Sequence, residues 1–193
     1  MRKLLSLLIK FLMILNLLII SGCEKNSSKY EITQGQDTLF DAEERLKELG
    51  IQLHIPAPPV ANFVHSVRSG NLVFLAGHGP LLPDGTWMTG KVGRDIDLEE
   101  GKKAARLTAI NLLSSLKAEI GDLNKVKRIV KVLGMVNSDE SFTDQPQVMN
   151  GCSDLLVAVF GDRGKHARAA VGMASLPFGI PVEIEMIVEV EDQ

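Results

Sequence analysis

The segment HARAAVGMASLPFGIPVEIE, residues 166–185, is built mainly from small and apolar residues, yet it carries Arg168 near its start and Glu183 near its end. A guanidinium is a planar fork of N–H donors that matches a carboxylate and stays charged at any physiological pH. Arg168 stands between Ala167 and Ala169, so its immediate neighbours crowd it little. Glu183 is the first acid of VEIEMIVEVE. If its end of the strand is covered, its partly desolvated carboxylate can orient a water for attack on an electrophilic carbon. The competing reading is structural, with the arginine paired to an acid of the sheet and the glutamates facing solvent.

Other chemistry is thinner. The four histidines, His54, His65, His78 and His166, have no metal-ligand spacing, and no HExxH or CxxC motif occurs, so neither a metal nor a cofactor is expected. His78 follows a strand and can face a pocket, and His166 can order the loop before Arg168. GHGPLLPDG has glycines but not the spacing of a phosphate-binding loop. Cys152 lies in a helical pattern, NGCSDLLVAVFG, which points to a buried structural thiol.

The elements that must position these residues follow from periodicity and punctuation. TLFDAEERLKELG reads as a short amphipathic helix with Leu39, Leu46 and Leu49 on one face and Gly50 after its last turn. IPAPPV is irregular because its prolines deny ladder and helix bonding. NFVHSVR and NLVFLAG form a hairpin through Ser69-Gly70-Asn71. Asp97, with Glu100 three residues on, starts the longest helix, which buries Ala105, Leu112, Leu113, Leu116 and Ile120 and ends at Gly121. VKRIVKVLGMV is a strand. QPQVMNGCSDLLVAVFGDRG is a second core helix closed by Gly161. ARAAVGMA and VEIEMIVEVE are the last strands, and the latter places Val182, Ile184, Met186, Val188 and Val190 on one face. This order predicts one α+β domain, a mixed sheet with two main helices on one face.

The N-terminus has a different design. Arg2, Lys3 and Lys10 precede the apolar run FLMILNLLII, which is shorter than the roughly 20 residues a membrane span needs. Ser21-Gly22-Cys23 then resembles the lipobox of bacterial lipoproteins, in which the cysteine becomes the lipidated first residue. The plainer alternative is an uncleaved anchor. The expected organisation is a signal peptide over 1–22, a polar tether over 23–37 and a domain over 38–193, with the protein held at the cell envelope through Cys23. The 193 residues are 45% hydrophobic and 23% charged, which suits one real core. Loss of Arg2, Lys3 and Lys10 leaves 18 Lys and Arg against 24 Asp and Glu, a balance of −6. Nucleic-acid binding wants a clustered basic face, so it is not expected.

Residues from about 50 to the end resemble the RidA, or YjgF-like, family, whose fold is shared with a class of chorismate mutases. The resemblance rests on NLVFLAGHGP, on VMN in the second core helix, on HAR before a strand and on SLPFGIPVEIE. It implies a homotrimer with ligand clefts between subunits. It implies hydrolysis of reactive 2-imino acids to 2-keto acids and ammonia, with Arg168 holding the substrate carboxylate, Glu183 positioning water, and Asn150, Gly77 and His78 near the pocket. Four positions depart from the deaminase pattern: Phe63 replaces a tyrosine, Ala76 a serine, His78 a glutamine and Ala170 a cysteine. Capture of a small carboxylate without turnover is therefore a second expectation, and the endoribonuclease activity attributed to some members a third.

Overall fold

The structure, a computed structural model, describes residues 41–192. The expected signal peptide, Cys23 and the expected tether lie outside the described residues. Helix α1 is Ala42–Glu48, capped by Asp41, whose carboxylate accepts from the Glu43 and Glu44 amides. The helix expected from Thr38 is thus shorter over the described residues. Leu46 is buried, but Leu49 serves as the C-cap and is 39% exposed rather than sharing the buried face.

Five strands follow: β1 (Ser66–Ser69), β2 (Leu72–His78), β3 (Val126–Asn137), β4 (Ala167–Met173) and β5 (Val182–Val190). Their order in the sheet is β1-β2-β5-β3-β4. All neighbours are antiparallel except β3 and β4. Residues 62–65 were expected to belong to β1 and do not. Only the His65 carbonyl still pairs, with the Ala76 amide, while Phe63 turns back to bond the Ala61 carbonyl. The His65 ring reaches the Ala57 carbonyl at 2.7 Å, which draws this segment toward the proline-rich loop.

Helix α2 (Leu98–Ile120) begins with the capping box that Asp97 and Glu100 announced. Helix α3 (Gln145–Phe160) packs beside it. Gly151 makes the crossing close, because a Cβ there would overlap the Lys102 carbonyl of α2. Both helices cover one face of the sheet. Val182, Ile184, Met186, Val188 and Val190 point into that interface and are at most 1% exposed. They meet Leu112, Leu113 and Leu116 of α2 and Leu155 and Leu156 of α3 in one core. At roughly 25 cal/mol per Å² of buried apolar surface, this layer is the main source of stability.

Among the described residues no helix packs on the opposite sheet face. Val67 and Phe74, paired across β1 and β2, are 56% and 41% exposed there, and Val171 on β4 is 42% exposed. Leu133 and Ile187 lie half-buried on the same surface, in a shallow groove floored with Lys131 and Glu185.

Candidate functional site

Glu183 sits one residue into β5, opposite Met135 of β3. A cavity of about 430 Å³ opens beside it, bounded by the proline-rich loop, the turn after β2 and the turn before β5. Its lining includes Phe63, His65, Gly77, His78, Trp87, Phe178 and Glu183. Gly77 makes room for the acid, since a Cβ there would overlap the Glu183 carboxylate. Burial in this position, with Glu185 on the same face, pushes the Glu183 carboxyl above its ordinary value. The carboxylate is half-buried and receives no hydrogen bond from the described residues, so its lone pairs are available to a water or ligand.

His78 is fixed rather than free. Its Nδ1 lies 2.7 Å from the Ala76 carbonyl and its Nε2 lies 2.7 Å from Ser115 Oγ. A carbonyl can only accept, so Nδ1 carries the proton and, in the neutral ring, Nε2 accepts from Ser115. Burial lowers the His78 pKa and keeps the ring neutral at pH 7. Asn111 of α2 donates to the Gly79 and Leu81 carbonyls and so ties the loop after β2 to the helix.

Arg168 is elsewhere in the chain. It pairs with Val132 of β3 and shares its face, whereas Glu183 shares the face of Met135. Val132 and Met135 are three positions apart, so side-chain alternation puts Arg168 and Glu183 on opposite faces of the sheet. Strand β3 also separates their strands. The arginine lies over α3. Its Nη1 donates to Asn150 Oδ1 at 3.0 Å and to Ser153 Oγ at 2.9 Å, and its Nη2 donates to the Pro146 carbonyl at 3.2 Å. Two of its five N–H donors, Nε and one on Nη2, have no partner among the described residues. Nor does any described carboxylate form an ion pair with it. The structural pairing weighed from sequence is absent there.

A relay stands behind Arg168. His166 Nδ1 is 2.7 Å from the Gly164 carbonyl and must donate to it. The neutral Nε2, 3.0 Å from Ser153 Oγ, then accepts the serine proton, and the serine oxygen accepts from Arg168. Burial and the adjacent guanidinium both hold the His166 pKa below its ordinary value, which preserves this direction of bonding.

The chain therefore gathers Phe63, Gly77, His78 and Glu183 around one cavity and joins Arg168 to Asn150 at the β4 edge of the sheet. Ala76 lies in the groove of the open sheet face. Sequence reading missed Trp87, Phe178, Asn111, Ser115 and Ser153. Trp87 and Phe178 stack with centroids 5.7 Å apart and planes within 4°. The WMTG and LPFG turns that carry them showed only as Gly- and Pro-rich loops, and nothing local pairs them. Cys152 is fully buried, and desolvation pushes its thiol up to about 12, which leaves it inert as a nucleophile. Among the described residues no three His, Cys, Asp or Glu side chains are grouped to hold a metal.

The comparisons with known proteins agree with this architecture. Residues 43–188 match the family model described as "YjgF/chorismate mutase-like, putative endoribonuclease". Protein TCP17 of Trypanosoma cruzi is 45% identical over 148 residues, covering 76% of this chain and 92% of that protein. The crystal structure of Atu1372, a protein of unknown function from Agrobacterium tumefaciens, superposes with a TM-score of 0.72 at 47% identity, over 78% of this chain and 94% of that one. A "putative endoribonuclease" from Shewanella oneidensis gives a TM-score of 0.75 at 28% identity, over 78% and 99%. With its mixed five-stranded sheet and helices on one face, the chain belongs to the YjgF/RidA-like family.

Proposed function

We propose that this protein hydrolyses small 2-imino acids at clefts completed between copies of the chain in a homotrimer. The observation that carries this reading is the state of Arg168. Three hydrogen bonds orient it, no described carboxylate neutralises it, and the cavity that holds Glu183 is out of its reach in the same protomer. A fork prepared in this way suits a carboxylate supplied by a ligand. A neighbouring copy seated on the open sheet face supplies the means to bring Arg168 to the Glu183 cavity. The exposed Val67, Phe74 and Val171 fit that contact.

In this reading Arg168 holds the substrate carboxylate and Glu183 holds the water. The water oxygen bonds to the imine carbon, the C=N electron pair moves to nitrogen, and Glu183 passes the water proton toward it. Collapse of the resulting carbinolamine breaks the C–N bond, releasing ammonia and a 2-keto acid. Imines of this kind hydrolyse readily in water, so positioning supplies most of what is needed.

Capture without turnover is a second reading, and Phe63 and Ala76 favour it because neither brings a hydroxyl to the site. The cavity gives RNA cleavage no support, since its lining contains Glu183 and no Lys or Arg. The deciding experiment follows ammonia release from 2-aminoacrylate generated in situ. Turnover is expected from the full-length protein, to be lost in Arg168→Ala and in Glu183→Gln. If the wild type binds a carboxylate through Arg168 but releases no ammonia, the capture reading replaces this one. Cleavage of RNA that survives Arg168→Ala would remove both.

The lipobox-like Cys23 further supports a location at the cell envelope through a lipid anchor. Metabolic labelling with a fatty acid should mark the wild type and not Cys23→Ser.

A further inference from the structure

The cavity beside Glu183 is larger and more aromatic than the smallest imino acids require. Trp87 and Phe178 stack along it. Phe63 meets His65 edge-on at 6.2 Å, and His65 leans on His78 at 5.4 Å, so a second run of rings lines the same space. Leu81 and Ile180 add aliphatic surface, and among the described lining residues Glu183 is the one carboxylate, with no Lys or Arg beside it. Sites of this kind take ligands with an apolar body and a single polar handle.

The ring surface is built at a cost to the backbone. Phe178 has φ 57 and is the one described non-glycine residue with positive φ. It is nevertheless 70% exposed, so burial of its ring does not explain the conformation. Glycine would take this φ freely, and Gly179 follows with φ 68. At Gly79 a Cβ would lie 2.7 Å from Ile180 Cδ1 and 3.0 Å from Trp87 Cζ3, so the absence of a side chain there lets the indole pack close to the turn. Residues held in sparsely populated backbone conformations cluster at ligand clamps and active sites.

We propose that this cavity selects carboxylates bearing an aromatic side chain, with the stacked Trp87 and Phe178 as the surface that receives the ring. The proposal rests on the reading that Arg168 and Glu183 serve one cleft, and it names the substrate class of that cleft. Offset or edge-on contact with the two rings favours an aromatic group over an aliphatic one beyond the area it buries.

Trp87 is the chain's single tryptophan and reports on the site directly. The full-length protein is titrated with 3-phenylpropanoate and with propanoate, each followed by tryptophan emission and by competition. The aromatic probe is expected to bind roughly tenfold more tightly. Phe178→Gly preserves the turn and should erase most of that preference, weakening the aromatic probe far more than propanoate. Equal affinities, or a preference untouched in Phe178→Gly, would overturn the proposal. Arg168→Ala separates it from the reading beneath it. Weakening of both probes together supports the two jointly. An aromatic preference that persists undiminished in Arg168→Ala keeps the ring subsite and removes the carboxylate clamp. Arg168-dependent binding with no aromatic preference does the reverse.

Discussion

Glu183 carries a stability cost that the proposed water-holding role explains. Its folded pKa is raised by burial and by Glu185, so the protonated form is the one folding favours. The stability it contributes is present below the ordinary value of 4.5 and is lost as pH rises through the folded pKa. Glu183→Gln should therefore melt higher than the wild type at pH 7, and the gain should vanish at acid pH, as followed by thermal scans across pH. The same variant should lose turnover. At Arg168 the orienting hydroxyl is Ser153. Ser153→Ala should weaken carboxylate binding about three- to tenfold, the scale of one lost hydrogen bond, with the melting temperature little changed. Arg168 and Glu183 drew notice in the sequence because charge in an apolar segment is rare. Ser153 and His166 did not, since their roles come from a loop and a helix that meet only in the fold.

Elements were the most legible level. The capping box at Asp97, the glycines at 121 and 161 and the strict alternation of β5 each found their place. Local signals fix such features because one or two residues satisfy the backbone by themselves. The failures lie where tertiary contacts decide. Residues 62–65 read as the start of a strand yet leave the ladder, with His65 bonded to Ala57, and Leu49 lost its expected burial to the end of a short helix. Gly151 illustrates a role no pattern announces, because its partner carbonyl is on another helix. Gly151→Ala should force α2 and α3 apart and cost about 1–3 kcal/mol. A lower urea midpoint with unchanged slope is the expected signature.

At the scale of the whole molecule, the two faces of the sheet have different fates. One is sealed by α2 and α3. The other presents Val67, Phe74 and Val171 to solvent in the single chain. The proposed trimer uses that face, so Phe74→Asp should shift the light-scattering mass from trimer toward monomer and abolish turnover together. The two-sided placement of Arg168 and Glu183 was not legible in the sequence, because their faces depend on the register of both strands with β3.

The central claim is that these two residues act in one cleft although one protomer keeps them apart. Co-expression of Arg168→Ala with Glu183→Gln tests it most directly. Each variant alone should be inactive toward 2-aminoacrylate. In randomly mixed trimers with one cleft per subunit pair, about a quarter of the clefts receive an intact glutamate from one copy and an intact arginine from the next. Recovery near that fraction is the predicted result. Mixed trimers that form but recover no activity, or an Arg168→Ala protein that alone turns over like the wild type, would contradict the account.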